Sequence, residues 1–192
     1  MKKWSFLFAA LFISALLFQS CKKDRNDKPC NNNNNNSKQT NSVIDNQAFV
    51  NQASSSNQFE ISAGQLAVTK GQSQAVKDFG THMLADHTKA NTELLSLTTP
   101  KGWPIPKDVL AQEQANLNLL KTATGRQFDE EFARLMVESH QKAVNLFVSA
   151  AQTQGGTLDT DLRNWVVQKL PALRAHLEKA KALQNQVNQN KQ

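Results

Sequence analysis

Residues 128–151 read FDEEFARLMVESHQKAVNLFVSAA. Phe128, Phe132, Leu135, Met136, Val144, Phe147 and Ala151 recur at spacings of three, four, seven and eight, which gather on one face of an α-helix. Asp129, Glu130 and Glu131 cluster near the head of this run, where acidic side chains complement the helix dipole. The apolar stripe is broken once, by His140. It lies four residues after Met136 and four before Val144, so it faces the same interior as the phenylalanines. An all-α fold with a polar residue set into its core is the first expectation.

The same periodicity extends outward in both directions. A helix over about 47–70 carries Phe49, Ala53, Phe59, Ala63, Leu66 and Ala67, with Gly71 as its stop. Ser73 is placed to cap a second helix reaching about Leu97, with Val76, Phe79, Met83, Ala90, Leu94 and Leu97 on its stripe. Pro100, Pro104 and Pro106 forbid a helix through the next stretch, which is expected to cross the bundle with Trp103 and Ile105 packed against it. A shorter helix over about 107–122 carries Val109, Leu110, Leu117 and Leu120, and Gly125 is expected to end it. After Gly155-Gly156, Thr157 or Asp159 opens the last helix, which shows Leu158, Leu162, Trp165, Val166, Leu173 and Leu177. Pro171 lies inside that pattern and is expected to kink it or to split it at Leu170. Four long helices and one short one argue for an antiparallel bundle over residues 46–187.

Each of the three other long helices carries its own inward polar residue. Glu60 sits seven after Ala53 and three before Ala63, His87 four after Met83, and His176 three after Leu173. All lie near the middle of their helices, and midpoints meet at one level in an antiparallel bundle. Glu60, His87, His140 and His176 are therefore the candidate ligands for one ion of zinc, iron, copper or manganese. Ordinary imidazoles, with pKa near 6.5, would lose that ion below about pH 6. The competing reading is a metal-free polar network, with Glu60 as partner to a histidine. His82 is rotated off this face and reads as exposed. Asp86 and Glu138 are out of phase with the centre, though Asp86 could brace a ligand from behind.

The chain's head is of another kind. Lys2 and Lys3 precede the apolar run Trp4–Phe18, and Ser20-Cys21 follows. This order resembles a lipoprotein signal over residues 1–20, cut before a cysteine that receives lipid. Residues 21–45, with the run Asn31–Asn36, are too polar to bury a core and read as a tether. Cys21 would then anchor the protein to a membrane of the cell envelope, the outer membrane being the expected place. Cys30 would be left without an intramolecular partner, so no disulfide framework is expected. The net charge of +6 is modest, and no basic patch interleaved with aromatics points to nucleic acid.

Four blocks carry a resemblance: Phe59-Glu60-Ile61-x-x-Gly64-x-Leu66-Ala67, Val76-Lys77-x-Phe79-x-x-x-Met83-x-x-Asp86-His87, Phe128-Asp129-x-x-Phe132-x-x-x-Met136-Val137-x-x-His140, and Leu170-Pro171-x-Leu173-x-x-His176. Over about residues 46–185 the chain resembles the family called domain of unknown function 4142, exported bacterial proteins with a ferritin-like helical fold. The resemblance implies a fold and an envelope location and brings no settled activity.

Ferritin-like di-iron sites need Glu-x-x-His pairs. Here Leu84, Val137 and Leu173 stand three before the three histidines, so one mononuclear site is the most this set supports. No phosphate loop, Cys-x-x-Cys or His-Glu-x-x-His motif is present, and the chain has no tyrosine for a radical. Two functions remain open: an envelope protein holding one transition metal, and a non-catalytic interaction module whose histidines are structural. An enzyme acting on a small molecule is a third and weaker reading.

Overall fold

The structure is a computed structural model that describes residues 45–152 and 159–189. The signal segment, Cys21 and nearly all of the tether lie outside the described residues. Helix α1 spans Asn46–Lys70, and the Asp45 carboxylate accepts the Ala48 N–H at its start. Gly71 closes it, with its N–H bonded to the Ala67 carbonyl. After a short turn, Ser73 caps α2, Gln74–Thr98, as its side chain accepts the Val76 N–H.

These two helices pack unusually close. A Cβ on Gly64 would stand 2.7 Å from the Gly80 carbonyl oxygen, and one on Gly80 would stand 2.5 Å from the Ala67 Cβ. No larger side chain fits either position without driving the helices apart. The contact sets the spacing between α1 and α2, and so the spacing between Asn57 and His87 farther along.

A 3-10 turn, Thr99–Lys101, leads into the proline segment, where Gly102 takes a left-handed φ of 67° that favours glycine. Trp103 and Ile105 pack against the core as expected. Three side chains of α1 hold this crossing: Gln47 donates to the Pro104 carbonyl, Gln58 donates to the Pro106 carbonyl, and Ser55 accepts the Leu110 N–H. That last bond keeps Leu110 extended. Helix α3 therefore begins at Ala111 and runs to Thr122, four residues later than the pattern suggests, and the Leu110 side chain is exposed.

Gly125 also departs from expectation. It does not end α3 but is the first residue of α4, Gly125–Ala151, with a φ of 56°. The turn between the two helices needs a left-handed residue, and only the tertiary path shows where it falls. Asp129 is likewise engaged elsewhere than at its own helix's dipole. Its two carboxylate oxygens accept the Gln72 and Ser73 N–H groups, each at 2.8 Å, and so tie α4 to the turn that starts α2. Asp159 opens α5, Thr160–Gln189, by accepting the Leu162 N–H. The helix runs unbroken through Pro171, so no split occurs at Leu170.

Phe49 at the start of α1, Leu94 at the end of α2, Phe147 at the end of α4 and Trp165 at the start of α5 share one apolar cluster. Helices α1 and α5 therefore run one way and α2 and α4 the other. The segment containing α3 returns the chain along the bundle, which gives a four-helix bundle with one long crossover. A second cluster, with Met83, Leu120, Phe128, Phe132 and Leu183, fills the other end. The polar residues of all four long helices lie between these clusters.

Candidate metal centre

His87 from α2, His140 from α4 and His176 from α5 meet in that middle layer. Their ring centroids form a nearly equilateral triangle with sides of 5.4, 5.5 and 5.6 Å. One ring nitrogen from each lies within 4.8 Å of the other two. All three residues are buried.

Hydrogen bonds behind the rings decide which nitrogen each one offers. His140 Nδ1 donates to the Met136 carbonyl at 2.8 Å, one turn back on its own helix. His87 Nδ1 donates to the Asn57 side-chain oxygen at 3.0 Å, across from α1. His176 Nε2 donates to the Asp86 carboxylate at 2.9 Å, across from α2. Each ring keeps its proton on the bonded nitrogen and a lone pair on the other. Those other atoms are His87 Nε2, His140 Nε2 and His176 Nδ1, and all three are buried without a hydrogen-bond partner.

Electrostatics maintain that state. Burial pushes the His140 imidazole down to about 4. It does the same to His176, helped by the neighbouring His140. His87 is driven well below its ordinary value by burial and then by His140 and His176. The rings are neutral at pH 7 and able to ligate.

Glu60 stands apart from this triangle. Its carboxyl is buried, 3.6 Å from His140 Nδ1, behind the ring relative to the free Nε2. Burial raises it to about 8, against the opposing effect of a hydrogen bond with Ser139. It is therefore a neutral acid at pH 7. The structure thus brings three of the four sequence candidates to one point and sets the fourth behind one of them.

His82 is only half-exposed. It accepts from Lys179 and lies edge-on to His176, outside the triangle. Asp86 braces a candidate ligand from behind, the histidine of another helix rather than its neighbour His87. Asn57 carried no signal in the stripe beyond its place one turn before Glu60.

The opposed shifts of Glu60 and the histidines predict a stability maximum for the metal-free protein. The histidines take up protons more readily unfolded, so stability falls as pH drops from about 6.5 toward 4. Glu60 holds its proton up to about 8 when folded and releases it near 4.5 when unfolded. Its contribution is complete below 4.5 and lost as pH rises through 8. Stability should peak near pH 6.5 and decline above it with a slope approaching 1.4 kcal/mol per pH unit, the value for one proton. Glu60→Gln should abolish the alkaline decline and leave the acid limb. Urea midpoints at pH 6.5 and 8 check this, and equal losses in both proteins would refute it.

A cavity of about 200 Å³ adjoins the centre, with His87 and His176 in its wall. Among the described residues, no helix is long and apolar enough to cross a membrane. A family model described as domain of unknown function (DUF4142) matches residues 31–183. No curated protein and no solved structure matches the chain.

Proposed function

For a chain that belongs to the family described as domain of unknown function DUF4142, we propose the role of a lipid-anchored cell-envelope protein that binds one transition-metal ion through His87, His140 and His176. The observation that carries this reading is a set of three buried histidines, each with one unpartnered ring nitrogen, that can offer ligand atoms within 4.8 Å of one another. Each unsatisfied buried acceptor costs about 1–3 kcal/mol. A water between them donates only two hydrogens and leaves one ring unserved. A cation meets all three lone pairs at once. Zinc holds imidazole at about 2.0–2.1 Å, so a set already this close contracts onto one ion by side-chain rotation.

The Met136 carbonyl, Asn57 and Asp86 take the place of the outer partners that orient metal-bound histidines. An all-imidazole set suits zinc, copper, iron or nickel better than calcium or magnesium. Metal analysis of the purified domain from residue 46 onward tests the reading. About one equivalent should be found, and none in His140→Ala. Absence of metal after supplementation would favour the interaction-module reading.

Anchoring rests on the Ser20-Cys21 junction, which lies outside the described residues. A lipid chain at Cys21 supplies most of the membrane attachment in this proposal. Cys21→Ser should move the protein from the membrane fraction to the soluble one. Retention in salt-washed membranes would refute the anchor and leave the metal proposal standing.

A further inference from the structure

We infer, on the basis of the metal reading above, that the ion's remaining coordination position takes a small carboxylate with an apolar body, seated in the cavity beside His87 and His176. The first ground is the donor count. Among the described residues, the buried group at the centre consists of three imidazoles, and Glu60 stands behind His140 rather than on the inner side. Three protein ligands plus an exogenous group is the arrangement of zinc sites that keep an open position.

Charge is the second ground. Three neutral imidazoles bring no negative charge to a buried divalent ion, and an uncompensated buried charge is costly. An anionic ligand offsets it. Lys89 and Lys169 line the same cavity. Asp86 lines it too, its carboxylate accepting from His176, and Lys169 is paired with Glu93, which also accepts the Trp165 indole N–H.

Shape is the third. Ala90, Phe147, Trp165 and Leu173 give the cavity apolar walls. Its volume of about 200 Å³ exceeds the roughly 150 Å³ that admits benzene in an engineered core. Asn57 adds an amide to this lining. Asn57 is 7% exposed, and its Nδ2 is a buried donor without a partner, on the same amide whose oxygen holds His87. An oxygen seated in the cavity gives that donor an acceptor. Benzoate has the required charge, ring and size and serves as the probe.

The test uses protein stripped of metal and reloaded with Co²⁺, whose visible bands report its ligands. Benzoate should shift the bands with an apparent Kd at least tenfold below that of acetate, and benzylamine should leave them unchanged. Ala90→Leu, which grows into the cavity, should erase the benzoate advantage while the acetate response persists. Ala172→Leu, at the exposed mouth, is the second variant should the first fold poorly. Benzoate no tighter than acetate, or an advantage untouched by both variants, overturns the inference and spares the metal centre. Failure of Co²⁺ to develop bands that His140→Ala removes overturns the metal reading itself, and the inference with it.

Discussion

Zn²⁺ added to the metal-free domain at pH 7.5 should raise its thermal midpoint, and His140→Ala should remove the whole gain. A ligand that binds only the folded state contributes RT ln(1 + [L]/Kd), or about 4 kcal/mol at a thousandfold excess over Kd. For a domain of this size that corresponds to a shift on the order of 10 °C. His140 is the decisive position because its ring is fully buried and its bonded nitrogen is fixed by its own helix backbone. His82→Ala should keep the gain, since that ring lies outside the triangle.

The pH dependence departs from what free imidazole suggests. Unperturbed rings would surrender the ion below about pH 6. With His140 and His176 held near 4 by burial, protons do not compete in the folded site until well below that. The gain should survive at pH 5.5 and disappear toward pH 4. Differential scanning calorimetry at pH 7.5, 5.5 and 4.5, with and without Zn²⁺, measures this. A gain already absent at pH 5.5, or undiminished in His140→Ala, would sink it.

The second large effect lies in the apolar cluster at the end where α1 begins. Phe147→Ala should cost about 3–5 kcal/mol, the range for truncating a buried phenylalanine. Phe147 is 5% exposed, meets the Phe49 ring at 5.2 Å and lies 5.5 Å from Trp165. Its removal takes a partner from each of two helices and enlarges the cavity that it walls. Urea denaturation with an unchanged m-value checks the figure, and a cost below about 1 kcal/mol would mean that the ring is not packed as described. Metal stoichiometry should survive, because the histidines are held by separate hydrogen bonds.

Much of the bundle was legible because helical periodicity is a local property. Phe79, Phe132, Phe147 and Trp165 are all buried, as their spacing predicts. His87, His140 and His176 could be placed inward by the same counting. Turn residues were harder. Gly125 looks like a stop in the sequence and is a start, because its left-handed φ serves the chain's path between α3 and α4. Leu110 fits the helical pattern of the sequence but is held extended by Ser55, a partner 55 residues away.

What the chain determined by itself is the set of helices, their buried faces and the depth of one polar residue on each, since all three follow from 3.6-residue repetition. What only the tertiary structure decided is which atoms meet. Phase along one helix cannot show that Asp86, turned off its own stripe, reaches the histidine of α5, or that Asn57 orients His87. Nor can it show that Glu60 falls behind a ring instead of beside it. Those outcomes depend on the distance and rotation between helices, set by contacts such as Gly64 against Gly80, where the absence of a side chain lets two backbones touch.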